Sequence, residues 1–109
     1  MQHDAVLLKD DGGIHCLQVD QKKLHEYFNG AIAIVGAIEE LNAIAVARET
    51  SECENINLFC KDHDSCFDNP VSGDVLLVGS DCNGQACDID AQCVRSFFAA
   101  HKQAVEQAV

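Results

Sequence analysis

Two stretches of the chain carry the same order of signals, and that order leaves few folds open. Ala5-Val6-Leu7-Leu8 is a short apolar run, Asp10-Asp11-Gly12-Gly13 is a turn signal, and Ile14 to Val19 alternates as a returning strand should. Asp20 then supplies a helix N-cap, with Val19 and Leu24 in the two positions of a hydrophobic staple. Leu24, Tyr27 and Phe28 share one helical face before Asn29-Gly30 stops the helix. The end of the chain repeats the plan. Val75-Leu76-Leu77-Val78 is apolar, Asn83-Gly84 is a hairpin turn, and Gln85 to Ile89 returns. Asp90 caps a long helix, Ile89 and Val94 are the staple pair, and Val94, Phe97, Phe98, His101 and Val105 run down one side. The two units superpose at a constant offset of 70 residues, which places Leu24 on Val94 and Phe28 on Phe98.

The middle follows a different rule. Ala31-Ile32-Ala33-Ile34-Val35 and Ala43-Ile44-Ala45-Val46-Ala47 alternate large and small, as strands with one bulky face and one alanine face do. The bulky face is expected to meet the helices, and the alanine face to admit another layer or a second subunit. Glu39-Glu40-Leu41-Asn42 connects the two strands, although Ala, Glu and Leu also favour a helix through 37–47. Ile56-Asn57-Leu58-Phe59 offers one more short strand. Residues 61–73 hold the only proline among several aspartates and read as an irregular acidic loop.

These pieces predict one α+β domain over 1–109, in the order β-β-α-β-β-β-β-β-α: a ββα unit at 5–28, central strands at 31–60, the loop at 61–73 and a second ββα unit at 74–107. Hairpin connections make the sheet mainly antiparallel, with two helices on one face. The expected core is Leu24, Phe28, Ile32, Ile34, Leu76, Val78, Val94, Phe97 and Phe98.

Charge narrows the partners. Seven Lys+Arg stand against 18 Asp+Glu, a formal charge of −11, which excludes a general electrostatic grip on nucleic acid or on an anionic membrane. No apolar run approaches the ~20 residues of a membrane helix. The opening Met1-Gln2-His3-Asp4 lacks the basic start of a secretory leader, and the seven cysteines are an odd number without a C-x-x-C. A cytoplasmic protein with reduced thiols is expected. Glu49, Glu52, Glu54, Asp62, Asp64 and Asp68 concentrate carboxylates in the irregular stretch as an acidic interaction surface. Beyond solubility, such a surface can meet a basic protein or imitate nucleic-acid phosphates in a DNA-binding groove. Spare strand edges fit a homodimer.

Other chemistry is thinly marked. Cys60, His63 and Cys66 put thiol, imidazole and thiol at spacings zinc accepts, with no fourth ligand in the pattern. No cofactor is therefore assigned, and zinc at these three residues is the alternative. Cys93 sits in a first helical turn, where the dipole favours thiolate, but no basic residue except Arg95 lies near it, so an unreactive thiol is expected. Asp81-Cys82-Asn83-Gly84 and the Asp62, Asp64, Asp68 set lack the glycine and glutamate positions of a calcium loop. There is no G-x-S-x-G, phosphate-binding glycine loop or H-E-x-x-H, so no reaction is nominated and an enzyme is not the expected class; a small-molecule enzyme with its pocket between sheet and helices is the weaker alternative.

The segment Leu24-His25-Glu26-Tyr27-Phe28-Asn29-Gly30-Ala31-Ile32-Ala33-Ile34-Val35 resembles a helix–glycine–strand segment of short phage- and plasmid-borne proteins. Gly73-Asp74-Val75-Leu76-Leu77-Val78-Gly79, followed by Asn83-Gly84 and the helix from Asp90, is similar to the late strand, turn and final helix of that family. The family is a domain of unknown function, often near antirestriction genes. The resemblance covers 20–35 and 73–98; Asn29 stands where a second glycine is usual, and the cysteine-rich middle is atypical. It implies the same fold and no particular activity, and it brings no catalytic residues; the function expected is that of a small acidic accessory or interaction protein.

Overall fold

A computed structural model describes residues 2–49, 55–62, 66–68 and 71–107, with backbone alone for 62 and 101–107. The elements are β1 (His3–Leu8), β2 (Ile14–Val19), a 3-10 turn (Gln21–Lys23) running into α1 (Leu24–Tyr27), and β3 (Ile32–Ile38). A 3-10 turn (Glu39–Leu41), β4 (Ala43–Arg48), α2 (Leu58–Asp62), β5 (Val75–Ser80), β6 (Ala86–Cys87) and α3 (Ala91–Gln107) follow. The strands form one sheet in the order β2-β1-β5-β4-β3, with β6 paired to the end of β5 and every pair antiparallel. The protein is α+β, as the alternation of hairpins and helices predicts.

β1 and β5, the strands of the two ββα units, lie side by side at the centre, with Val6 opposite Leu77 and Leu8 opposite Val75. Their runs Ala5–Leu8 and Val75–Val78 are apolar without interruption, which means that both faces need a cover. On one face Val6, Leu8, Val75 and Leu77 pack under Ile89, Val94 and Phe98 of the α3 region. On the other, Ala5, Leu76 and Val78 pack under Val19, Leu24 and Phe28 of the α1 region. The expectation of two helices on one face is therefore corrected: α1 and α3 cover opposite faces.

The physical reason lies in the offset of 70. Ala5 faces α1, whereas Val75, its equivalent, faces α3; Val6 and Leu76 are exchanged likewise. Each helix thus lies on the equivalent side of its own hairpin, and the second unit is turned over relative to the first. Both staples form as expected, Val19 with Leu24 in one core and Ile89 with Val94 in the other.

The middle of the chain fills what α3 leaves bare. Ala43, Ala45 and Ala47 of β4 are buried in the same cluster as Phe59, Phe67 and Phe98, so the alanine face admits a layer of phenylalanines from the chain itself. Phe59 and Phe98 meet with ring centroids 4.8 Å apart. β3 carries a bulge between Ile34 and Gly36, and a Cβ at Gly36 would collide with the Cys66 carbonyl. The bulky face is less completely covered. Ile34, expected in the core, is 68% exposed there; on the alanine face Phe97 of α3, also expected in the core, is half-buried. α1 has just four residues, and Ile32 of β3 packs against its cluster while Ile34 stands exposed.

The expected strand at 56–59 is also corrected, since α2 starts at Leu58 and only Ile56 makes an isolated bridge, to Ser72. Asn57 decides this. Its side-chain oxygen accepts from the Phe59 N–H at 2.9 Å, turning the chain, while its amide donates to the Leu8 and Gly73 carbonyls, each at 2.9 Å. The returning strand of the second hairpin is two residues long. The rival helix over 37–47 is reduced to the turn at Glu39–Leu41.

Candidate functional site

A cleft of about 270 Å³ opens where the β3–β4 connection approaches the start of α3, lined by Glu40, Leu41, Asn42, Asp88, Ile89, Asp90, Cys93 and Val94. Its position follows from local structure. Asn42 takes the left-handed conformation (φ 50°), which ends the Glu39–Leu41 turn and starts β4. Its carbonyl accepts from the Ser80 N–H at 2.7 Å, fixing that corner to the end of β5. On the other wall Asp88 accepts from the Asp4 N–H at 2.7 Å, and the Ile89 N–H returns a bond to the Asp4 carbonyl at 3.1 Å. Asp90 accepts from the Gln92 N–H at 2.8 Å as the cap of α3.

The result is an apolar floor of Leu41, Ile89 and Val94 beneath three carboxylates, Glu40, Asp88 and Asp90, with no lysine or arginine among the lining residues. Such a cleft suits the side chain of a lysine or arginine. The aliphatic stem covers the floor while the cationic head reaches charge-assisted hydrogen bonds at the rim. Cys93 lines the cleft and is exposed, but Arg95 points elsewhere and donates to the Ile14 carbonyl at 3.2 Å. The cation that could have activated this thiol is therefore engaged at the edge of the sheet.

Of the residues singled out from the sequence, the structure describes only part. Glu49, at the end of β4, and Asp68, bonded through its N–H to the Val35 carbonyl, are exposed. The Asp62 carboxylate and residues Glu52, Glu54 and Asp64 lie outside the described residues. So does His63 of the thiol–imidazole–thiol group. Of its partners, Cys60 is buried beside the Phe59–Phe67 layer and burial pushes its thiol pKa up, while Cys66 is half-buried. Burial, and then the Asp81 and Asp88 carboxylates, push the Cys87 thiol up as well. Among the described residues, no group of three or more His, Cys, Asp or Glu is arranged to hold a metal ion.

The cleft was missed because its walls lie almost fifty positions apart in the sequence. Its signals were Glu39-Glu40 ahead of a left-handed Asn, and two aspartates flanking the staple residue Ile89. No helix among the described residues is long and apolar enough to cross a membrane. No family model matches the chain, and neither a curated protein nor a solved structure matches it.

Proposed function

We propose that the protein is a non-enzymatic accessory protein that binds a basic protein partner. The observation that carries this reading is the cleft: three carboxylates over an apolar floor, in a chain of net charge −11. The surrounding field draws cationic partners in, and the cleft gives one lysine or arginine side chain a defined seat. The acidity of the chain suggests a DNA-binding protein, basic by necessity, as the partner class.

The test separates the seat from the field. An arginine-rich peptide is titrated into wild-type protein and into the triple variant Glu40→Gln, Asp88→Asn, Asp90→Asn, which keeps the hydrogen-bonding shapes. Wild type is expected to bind at low salt and to release the peptide as salt rises. The triple variant is expected to bind about tenfold more weakly. Equal binding by the two proteins would assign the attraction to net charge alone and remove the cleft from the account.

A further inference from the structure

The two edges of the sheet are finished differently. The outer side of β3 is crossed by 66–68, where the Asp68 N–H donates to the Val35 carbonyl at 2.7 Å and Phe67 bridges Gly36. At the other edge, Arg95 of α3 donates to the Ile14 carbonyl of β2 at 3.2 Å, and Ile14 packs against the core that holds Val94 and Phe98.

The register shows which backbone groups β2 presents. The Lys9 N–H donates to the Gly13 carbonyl at 2.8 Å, closing the hairpin with a bonded pair. Pairing alternates from there, so His15, Leu17 and Val19 spend their backbone groups on β1, while Ile14, Cys16 and Gln18 turn theirs outward. The far side of β1 agrees. Asp4, Val6 and Leu8, which face Gln18, Cys16 and Ile14, direct their own groups toward Asp88, Ile89 and β5.

β2 has the sequence Ile-His-Cys-Leu-Gln-Val, without Asp, Glu, Lys or Arg, in a chain that is 23% charged. Natural edges usually carry charge or a cover that prevents pairing. This one carries neither on the strand itself.

We propose that β2 is the interface between two copies of this chain, paired antiparallel about a two-fold axis at Cys16. Cys16 then meets Cys16 of the partner subunit, and Ile14 meets the partner subunit's Gln18. The same three residues donate and accept on both sides, which is the self-complementarity a two-fold interface requires. For two bodies each of charge −11, contact along an uncharged strand is also the approach with least repulsion. The Ile14 carbonyl can hold both Arg95 and the partner's Gln18, since it has two lone pairs. The interface shares no residue with the cleft, so either reading can fail alone.

Sedimentation of the reduced full-length protein at about 100 µM tests the pairing, and the expected mass is that of a dimer with a dissociation constant in roughly the micromolar range. Cys16→Lys sets two ammonium groups opposite each other, about 5.5 Å apart at Cα. It is expected to raise the dissociation constant more than about tenfold and leave the far-ultraviolet circular dichroism unchanged, because Cys16 is exposed. Diamide provides a direct readout: its azo bond takes up one hydrogen from each thiol and the two sulfurs join. Peptide mass spectrometry should then find Cys16 linked to Cys16. A wild-type monomer at this concentration or a dimer undisturbed in Cys16→Lys would each overturn the proposal.

Discussion

Asn57 is the described polar side chain with no exposure at all, and replacing it by alanine should cost more than any surface change in this protein. The substitution removes two donated bonds and one accepted bond. It takes the partners of the Gly73 carbonyl ahead of β5 and of the Phe59 N–H at the start of α2, and it takes one of the bonds of the Leu8 carbonyl, which also pairs with β5. A buried donor or acceptor left without a partner costs about 1–3 kcal/mol, and water entering the space of the lost amide recovers part of it. The expected loss is about 3–5 kcal/mol, out of a total of roughly 5–15 kcal/mol for a domain of ordinary stability. Urea unfolding at neutral pH reads this as a midpoint about 2–4 M lower at unchanged slope. Asn57→Asp keeps the acceptor for Phe59 but turns a carboxylate toward two carbonyls. Desolvation raises the folded pKa of that new carboxyl, so its deficit should be smaller at pH 4 and grow as pH rises toward 7. A loss below about 1 kcal/mol for Asn57→Ala would refute the assignment of this residue as the tie between α2 and the strand ends.

The two faces of the sheet should respond unequally to truncation. Phe98→Ala opens the Phe59–Phe67 layer and is expected to cost about 3–5 kcal/mol, whereas Ile34→Ser should stay within about 0.5 kcal/mol in the same unfolding assay. Cys60 should resist iodoacetamide while Cys16, Cys82 and Cys93 react, as mass spectrometry of the labelled peptides would report. Because burial raises the folded pKa of Cys60, its contribution to stability is complete below the unfolded value of about 8.5 and declines as pH climbs through the higher folded value. Unfolding midpoints across that alkaline range, compared with those of Cys60→Ala, check the sign. Protein expressed without added metal should carry no stoichiometric zinc, and chelator should leave its melting temperature unchanged; a chelator-sensitive melt would restore Cys60, His63 and Cys66 as ligands.

Local signals carried the sequence reading a long way. The turns at Asp11-Gly12 and Asn83-Gly84, the caps Asp20 and Asp90, and the staples of Val19 and Ile89 all depend on neighbours within a few residues, and each formed as read. What failed depends on distant partners. The continuous apolar runs at 5–8 and 75–78 already implied cover on two faces, but the expectation of a one-sided sheet ignored them. Ile34 alternates like a core residue, yet its exposure is set by the shortness of α1, a helix several residues upstream. The segment at 56–59 has strand-like apolar content, and one asparagine whose partners lie at Leu8 and Gly73 overrides it. The cleft was illegible for the same reason: Glu40 and Asp88 become neighbours only after β4 has paired with β5.

The adjacency of β1 and β5 sets the timetable of biogenesis. The first hairpin leaves the ribosome early, but the strand that completes it begins at Val75. At a synthesis rate of about 5–20 residues per second, the nascent hairpin waits roughly 3–12 s with its inner edge, and the face that α3 later covers, unshielded. Such long-range closure slows folding. Of all stages in the life of this chain, that interval is the one in which a holdase chaperone has most to protect.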